Sequence, residues 1–262
     1  MDKSKGFTLI ELLVVIAIIA LLMAILIPSL THVKNMASGV VCQANVKNLV
    51  VAWVMYAQDN DGKIVGGDTL TKFDWVARPI DGAVESKKEA IREGLLFSYL
   101  KDVKVYHCPA DKRYRARAVE SSSDDVYGGY RSYSVAGSMN GQRGWGQNDE
   151  VMVTKITQIK RPAEKYVFLE EMEGGSCNLR SWDLDVLSDQ WTDPVAIWHN
   201  KRSTLGYADG HMKMHPWVDK GTLKMAELQM KNWPLWPSDS GDDLRYMKEH
   251  YQPKGPLKSS LP

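Results

Sequence analysis

The chain has 262 residues, of which 44% are hydrophobic and 25% are charged, and its formal net charge is +1. This balance gives the molecule no strong electrostatic field of either sign, so a nucleic-acid partner is not expected. Roughly 200 residues follow the predicted N-terminal helix, which ends near residue 59. They can bury one hydrophobic core, and nothing indicates a second enzyme-sized domain.

The first element is an apolar segment over residues 7–28, and about 20 such residues are enough for a helix to cross a bilayer. Lys3 and Lys5 precede the segment, so the positive-inside rule places the N-terminus in the cytoplasm and the remainder outside it. A cleaved signal peptide and a simple anchor are the alternatives. No convincing small-x-small cleavage site lies between Ala20 and Ser29, which argues against the signal peptide.

Glu11 is the only acidic residue in this apolar run, and an ionisable group in a membrane helix is by default functional and needs a partner. Residues 5–11, KGFTLIE, resemble the processing site of type IV prepilins and of the pseudopilins of type II secretion. The resemblance implies that a prepilin peptidase cleaves after Gly6 and methylates the new N-terminus at Phe7. It also implies that Glu11 pairs with the N-terminal ammonium group of a neighbouring subunit.

The next stretch predicts that the helix continues. Pro28 should bend it without ending it, because apolar residues recur at helical intervals from residue 31 to about residue 59. These residues are Val33, Ala37, Val40, Ala44, Val46, Val50, Trp53 and Ala57. Residues 59–62, DNDG, should end the helix in a turn. In pilins, the first half of such a helix packs against other subunits and the second half lies on its own globular head.

Two strand patterns follow in the head. Residues 165–169, KYVFL, predict a buried strand, and residues 204–217 predict a hairpin that turns at Asp209-Gly210, a dipeptide suited to a type I′ turn. Within the hairpin, alternation predicts that His211 and His215 share an exposed face. The predicted fold class is α+β, a type IV pilin-like fold with a long N-terminal helix packed on an antiparallel sheet.

The hairpin region carries a second resemblance. His199 is followed by nine residues and then Asp209-Gly210, which is similar to the H-X9-DG domain of prepilin-like proteins of planctomycetes. Shorter stretches agree with that family as far as about residue 217: CQAN at 42–45, CPAD at 108–111 and SYS at 132–134. A catalytic His–Asp pair lacks a recognisable nucleophile motif. We therefore expect His199 to hydrogen-bond across the sheet, Asp209 to form the turn, and the protein not to be an enzyme.

Three cysteines, Cys42, Cys108 and Cys177, lie on the exported side of the predicted span. An oxidising compartment would allow one disulfide and one remaining thiol. The predicted pair is Cys42 with Cys108, because the stretch around Cys108 is expected to loop back toward the helix. The alternative is three buried thiols.

Calcium is the one cofactor considered. Major pseudopilins bind a calcium ion in a loop of their C-terminal sheet, and Asp239, Asp242 and Asp243 offer clustered oxygen ligands in this chain. These residues are weak candidates, because the same acids suit the first turn of a short helix over residues 242–250. No other cofactor is expected.

The sequence thus predicts four parts. A leader occupies residues 1–6 and a long helix residues 7–59, with the membrane span at 7–28. A globular head follows over residues 60–217 and a C-terminal extension over residues 218–262. The expected function is a structural subunit of a type IV pilus-like or type II secretion pseudopilus-like filament. Its partners would be a prepilin peptidase, other pilin-like subunits and the inner membrane, crossed once with the head outside the cytoplasm. After assembly it would lie in the periplasm or on the cell surface. The alternative is a membrane-tethered extracellular binding module for glycans, since the head is rich in aromatic residues.

Overall fold

The computed structural model describes residues 9–81, 83–112, 130–141, 143, 148–172, 180–228 and 241–257. They form the α+β, type IV pilin-like arrangement that the sequence predicts. The helices are α1 (Leu9–Asp59), α2 (Val84–Glu93), α3 (Phe97–Leu100), α4 (Asn148–Val151), α5 (Lys220–Leu228) and α6 (Asp242–Tyr251). One antiparallel sheet has the strand order β1-β2-β3-β4, with β1 (Tyr133–Val135), β2 (Tyr166–Glu170), β3 (Arg202–Tyr207) and β4 (Met212–Pro216).

Helix α1 is a single element of 51 residues with Pro28 inside it. The prediction that the helix continues past this proline is confirmed. The most apolar stretch of α1 has a mean hydropathy of 3.2, and none of that stretch is buried within the chain. Among the described residues, α1 is the one helix long and apolar enough to cross a membrane.

The N-terminal part of α1 projects from the head. The first buried position of the helix is Gly39, and no side chain described between Leu9 and Ser38 is buried. At 1.5 Å per residue, these roughly 30 residues extend about 45 Å from the head. This length is enough for a bilayer-spanning segment followed by a short exposed section.

After Gly39, one side of α1 enters the core through Cys42, Val46, Leu49, Val50, Trp53 and Ala57. The first predicted series of apolar positions is not part of this side, because Val33 and Val40 are exposed, as are Ala37 and Ala44. Val40 and Val46 are six residues apart in sequence, which places them about 120° apart around the helix axis. The expectation that both series lie on the head is therefore wrong for the first one.

Helix α1 ends at Asp59, as the sequence predicts. Asp61 and Gly62 have positive φ angles, of 54° and 74°, and the Gly62 amide donates to the Ala57 carbonyl at 2.8 Å. This bond satisfies one of the carbonyl groups that a helix end leaves without an intrahelical partner. The left-handed conformation suits glycine, which has no Cβ to clash.

The β3–β4 hairpin is present, but its turn is not the predicted type I′. The Gly210 amide donates to the Tyr207 carbonyl at 2.9 Å, which makes Ala208 and Asp209 the central residues. A type I′ turn requires positive φ at both central residues. In this turn only Gly210 has a positive φ, of 96°, so the strands are joined by a longer loop that closes at the glycine.

The sheet is covered on both faces. On one face, α1 lies so close to β3 that a Cβ added at Gly206 would be 2.5 Å from Val50 and 2.6 Å from Val46. On the other face, the Tyr207 hydroxyl from β3 lies 2.5 Å from the Tyr246 hydroxyl of α6. Because neighbouring strand residues point to opposite faces, these two contacts place α1 and α6 on opposite sides of β3.

Helix α6, which lies in the predicted C-terminal extension, packs into the core of the head. Leu244, Met247 and Tyr251 of α6 belong to the same buried core as the residues of α1. The carboxylate of Asp243 accepts hydrogen bonds from the amides of Val218 and Asp219, which fixes the start of α6 against the end of the hairpin.

Helix α6 also buries His215, which the sequence places wrongly on the surface. The imidazole is 8% exposed and stacks on the Tyr246 ring with centroids 4.2 Å apart. Burial, together with the charges of Lys213 and His250, lowers the pKa of His215 to about 4. Both ring nitrogens lack hydrogen-bond partners within the described part of the chain.

Adding a methyl group at residue 206 tests the contact between α1 and β3. Gly206→Ala should lower the free energy of unfolding by about 1–3 kcal/mol, the usual cost of overpacking a core. Thermal unfolding of the detergent-solubilised chain measures this loss. The double variant Val46→Ala/Gly206→Ala restores space, so its loss should be smaller than the sum of the two single losses. Strict additivity would contradict the proposed contact.

His215 should make the head sensitive to acid. The unfolded chain binds a proton at this residue near pH 6.5 and the folded chain only near pH 4, so stability falls as the pH drops through that window. Between pH 7 and pH 5 the loss from this group is about 2 kcal/mol, or roughly 4–8 °C in Tm.

The variant His215→Phe keeps a stacked ring and has no proton to bind, so its Tm should fall less than that of wild type over the same pH range. Thermal melts of both chains in the same detergent at pH 7 and pH 5 make the comparison. His32→Phe, at an exposed position of α1, is the matched control and should behave as wild type. Equal pH dependence in His215→Phe and wild type would refute the assignment.

Candidate functional site

The first region with candidate functional residues is the N-terminal segment. The predicted processing residues, Gly6 and Phe7, lie outside the described residues. Glu11 lies in the first turn of the described part of α1, and its side chain is exposed on the outside of the chain. A carboxylate at that end of a helix is favoured by the helix dipole. Its position leaves it accessible to a neighbouring helix.

The second region is a buried cluster of Cys42, Cys108, Glu170 and His199, hereafter the buried cluster. Each side chain offers a sulfur, oxygen or nitrogen atom, and these atoms all lie within 4.8 Å of one another. None of the four residues is more than 4% exposed. They come from four places in the chain: α1, the loop after a short 3₁₀ helix (Val103–Tyr106), the end of β2 and the turn before β3.

Packing of α1 positions Cys42, because it lies one helical turn before Val46 on the side of α1 that enters the core. Cys108 is held by a turn in which the Asp111 amide donates to the Cys108 carbonyl at 2.9 Å. Ser132 fixes this turn to the strand region, since its hydroxyl accepts from the Cys108 amide at 2.9 Å and donates to the Asp111 carboxylate at 2.6 Å.

Strand alternation positions Glu170. Phe168 and Glu170 are two residues apart on β2, and Phe168 lies beside Gly206 on the face that α1 covers. Glu170 therefore points toward α1, where its carboxylate accepts a hydrogen bond from the Cys42 thiol.

A tight turn positions His199. Its amide donates to the Arg202 carbonyl at 3.4 Å, and the two residues between them, Asn200 and Lys201, have positive φ angles of 51° and 61°. A type I′ turn requires a positive φ at both central residues. The type I′ pattern therefore occurs in the turn just before β3 and not at Asp209-Gly210, where it was predicted. Two consecutive non-glycine residues in this conformation are uncommon, and such strain is typical of functional sites.

Short contacts connect the members of the cluster. His199 Nε2 lies 3.3 Å from Cys108 Sγ and 3.2 Å from Glu170 Oε1. The Tyr133 hydroxyl donates to Cys42 Sγ at 3.2 Å, and the side-chain amide of Asn45 donates to the same hydroxyl at 3.4 Å. The stretches CQAN, CPAD and SYS thus meet around one point with His199.

Burial and these contacts shift the ionisation of three members. Burial raises the pKa of the Cys42 thiol, and Cys108 and Glu170 act in the same direction. A hydrogen bond from Cys42, with further help from His199, lowers the pKa of Cys108 to about 7 against the effect of burial. Burial opposes a charge on His199, but hydrogen bonds to Cys108 and Glu170 raise its pKa to about 10. The contact with the Glu170 carboxylate therefore favours the protonated form of the imidazole.

A thiol next to an imidazole is a familiar pair in nucleophilic catalysis. Both residues of the pair, Cys108 and His199, are closed off from solvent here. An external substrate could not reach the sulfur without opening the core, which argues against such a role.

The structure does not bring His199 and Asp209 together as a catalytic pair. Asp209 forms the hairpin turn, as predicted, and its carboxylate contacts the His211 ring at 2.6 Å. His199 lies at the opposite end of β3, and six strand residues span about 20 Å.

Cys42 and Cys108, the predicted disulfide pair, are brought close together but are free thiols in the structure. Their sulfurs share the cluster with a carboxylate and an imidazole, which the sequence argument did not include. Cys177 lies outside the described residues. A bridge between Cys42 and Cys108 therefore stays a prediction.

The weak calcium candidates are used in different ways. Asp242 forms an ion pair with Arg245, and Asp243 binds the backbone amides that precede α5. Both acids lie in the first turn of α6, which is the alternative role that the sequence suggests. Asp239 lies outside the described residues, and calcium binding stays a prediction.

Glu170 is the member of the cluster that the sequence argument missed, since the predicted strand ends one residue earlier, at Leu169. Two acids, Glu170 and Glu171, directly continue the apolar run of β2 and are both buried. Burying an acidic residue without a partner is costly. Two acids that extend a buried strand were therefore the available signal that a partner lies nearby.

Comparisons with known proteins agree with the N-terminal assignment. Residues 1–27 match the family model of the prokaryotic N-terminal methylation motif. The chain is 49% identical over 61 residues to the type IV wide pilus major component PilA4 of Thermus thermophilus, a match that covers 23% of this chain and 47% of PilA4. The chain thus spans about half of that relative.

A second relative is matched over most of its length. The chain is 31% identical over 93 residues to the competence protein ComGC of Halalkalibacterium halodurans, which covers 36% of this chain and 89% of ComGC. No solved structure matches the chain. From the processing motif, the long apolar helix on an antiparallel head and these relatives, we conclude that the chain belongs to the family of type IV pilin-like proteins with an N-terminal methylation motif.

Proposed function

We propose that this protein is a structural subunit of a pilin-like filament, made as a membrane protein and processed by a prepilin peptidase. One observation carries the proposal: the first half of α1 is apolar and uncovered, and it bears Glu11 in its first turn. The family motif over residues 1–27 supports the processing step.

The uncovered half of α1 offers a surface for assembly. Its large apolar side chains are exposed along its length, for example Leu13 at 62% and Leu26 at 63%. Such a surface is stable in lipid before assembly. In a filament, equivalent helices of other subunits would replace the lipid, since apolar helices associate through close packing and polar pairs.

Glu11 supports the filament more strongly than a simple anchor. An anchor gains nothing from a carboxylate in the membrane, where an ionised group is costly. Cleavage after Gly6 would create an ammonium group on Phe7, and a neighbouring subunit could present that group to Glu11. The pair would fix the axial register between adjacent helices.

We also assign the head to the H-X9-DG group. The convergence of CQAN, CPAD, SYS and His199 on the buried cluster supports this assignment, because the stretches are far apart in sequence and close in space. The filament would be of the type IV pilus or type II secretion pseudopilus kind, with the head outside the cytoplasm.

The alternative, a tethered glycan-binding module, receives less support from the head. Exposed tryptophans would be expected to stack on sugars. Most tryptophans in the described part of the head are buried in the core instead: Trp53, Trp75, Trp182, Trp191 and Trp217.

The processing step predicts a defined N-terminus. Mass spectrometry of the membrane-extracted protein should find a chain that begins at N-methylated Phe7, because cleavage after Gly6 precedes methylation. A Gly6→Ala chain expressed in parallel is the control, and its leader should remain attached in a larger fraction of molecules. Wild-type protein with an intact leader, or cut beyond Ala20, would contradict the proposal.

The assembly step predicts a selective effect of Glu11→Val. Insertion into the membrane should be retained, since the substitution removes the charge from the apolar run. Polymer in the sheared extracellular fraction should fall by at least about tenfold, because breaking a buried pair costs a few kcal/mol per contact.

The experiment compares sheared and membrane fractions of cells that express each variant with the host assembly machinery. Glu11→Gln removes the charge at nearly constant size and should fail in the same way. Leu13→Val keeps an apolar side chain on the same surface and is the matched control, so it should lose far less polymer than either Glu11 variant. If Glu11→Val is recovered as polymer as efficiently as wild type, the tethered module becomes the better account.

A further inference from the structure

The four donor atoms of the buried cluster have the spacing of a metal site. In a tetrahedral zinc site with bonds of about 2.0–2.3 Å, the donor atoms lie about 3.3–3.8 Å from one another. The atoms of Cys42, Cys108, Glu170 and His199 all lie within 4.8 Å of one another, and His199 Nε2 is already 3.3 Å from Cys108 Sγ and 3.2 Å from Glu170 Oε1. Shifts of up to about 1 Å would therefore bring all four to bonding distance. We propose that the buried cluster is a structural binding site for one Zn²⁺ ion.

The donor types favour zinc over the other common cations. Thiolate and imidazole groups suit borderline-soft zinc, whereas calcium and magnesium prefer oxygen ligands throughout. With two thiolates, one carboxylate and one neutral imidazole, the ligands carry a charge of −3. Bound Zn²⁺ would offset two of these three negative charges and leave −1.

The surroundings provide outer hydrogen bonds for the two cysteine ligands. The Tyr133 hydroxyl donates to Cys42 Sγ at 3.2 Å, and the Cys108 turn is fixed by Ser132. Outer hydrogen bonds of this kind orient the ligands and stabilise the thiolate form. Glu170 Oε2 has no hydrogen-bond partner among the described residues, so hydrogen bonds alone leave the carboxylate incompletely satisfied.

Binding would be coupled to the fold. The ion would form bonds to Cys42 Sγ, Cys108 Sγ, His199 Nε2 and a Glu170 oxygen, and the protons of the two thiols and of the imidazolium would pass to solvent. Four protein ligands leave no open position, which is the arrangement of structural and not catalytic zinc. The site would join α1, the Cys108 turn, β2 and the start of β3.

The test begins with the full chain purified in detergent without chelators. Elemental analysis should find one zinc per chain, and cobalt chloride added to the metal-free chain should produce the intense visible absorption of tetrahedral cobalt–thiolate. Chelation should lower Tm by roughly 8 °C or more, and zinc chloride should restore it.

Variants assign the ligands. Cys42→Ser and Cys108→Ser should lose the bound zinc and the cobalt spectrum, whereas Cys177→Ser, the matched control, should keep both. Tyr133→Phe keeps all four ligands but removes the hydrogen bond to Cys42, together with the one that Asn45 donates to the same hydroxyl, and should weaken zinc affinity by about tenfold or more. If a ligand variant fails to fold, the chelation and zinc-restoration cycle on wild type decides the question.

Two results would overturn the proposal. Peptide mapping of the wild-type chain without reductant could recover Cys42 linked to Cys108 with no zinc present, which would establish a disulfide instead. The second is a wild-type chain with both thiols reduced that takes up neither zinc nor cobalt and shows no change of Tm with either ion.

Discussion

The close approach of α1 to β3 at Gly206 sets the positions of the other parts of the head. Because residue 206 has no side chain, Val46 and Val50 can pack directly on the strand backbone. This packing fixes the rotation of α1 about its own axis, and with it the position of Cys42 one turn earlier. Glu170 on the neighbouring strand then faces that sulfur. If a methyl group at residue 206 pushed the helix away, Cys42 and Glu170 would move apart.

Two carboxylates in apolar surroundings are accommodated in different ways. Glu11 lies on the outside of the chain, and in the proposed filament its counter-charge would come from another subunit. Glu170 lies inside the head, and its contacts come from its own chain: the Cys42 thiol and the His199 imidazole. Both groups are costly in isolation. Each therefore indicates an interaction that the surrounding apolar sequence does not reveal by itself.

Periodicity was enough to predict α1, β2 and the β3–β4 hairpin, because each has a long or regular apolar pattern. The point where α1 enters the head could not be found in this way, since Val33 and Val46 are equally apolar and only neighbouring elements distinguish them. His215 was misplaced because the helix that buries it begins 27 residues later, at Asp242. The sequence identified Cys42, Cys108 and His199 individually, but it could not show that they meet Glu170.

The entry of α1 into the head at Gly39 has a mechanical consequence for a subunit in a filament. Tension carried by the exposed half of the helix would reach the head through its first buried turn, next to Cys42. From there α1 contacts β2, β3 and β4, so a pull along the helix axis would load these contacts together in shear. Contacts loaded in parallel must break at the same time, whereas contacts that peel apart break one after another. The resistance of the subunit to extension would therefore be set by residues 42–57 and not by the membrane half of the helix.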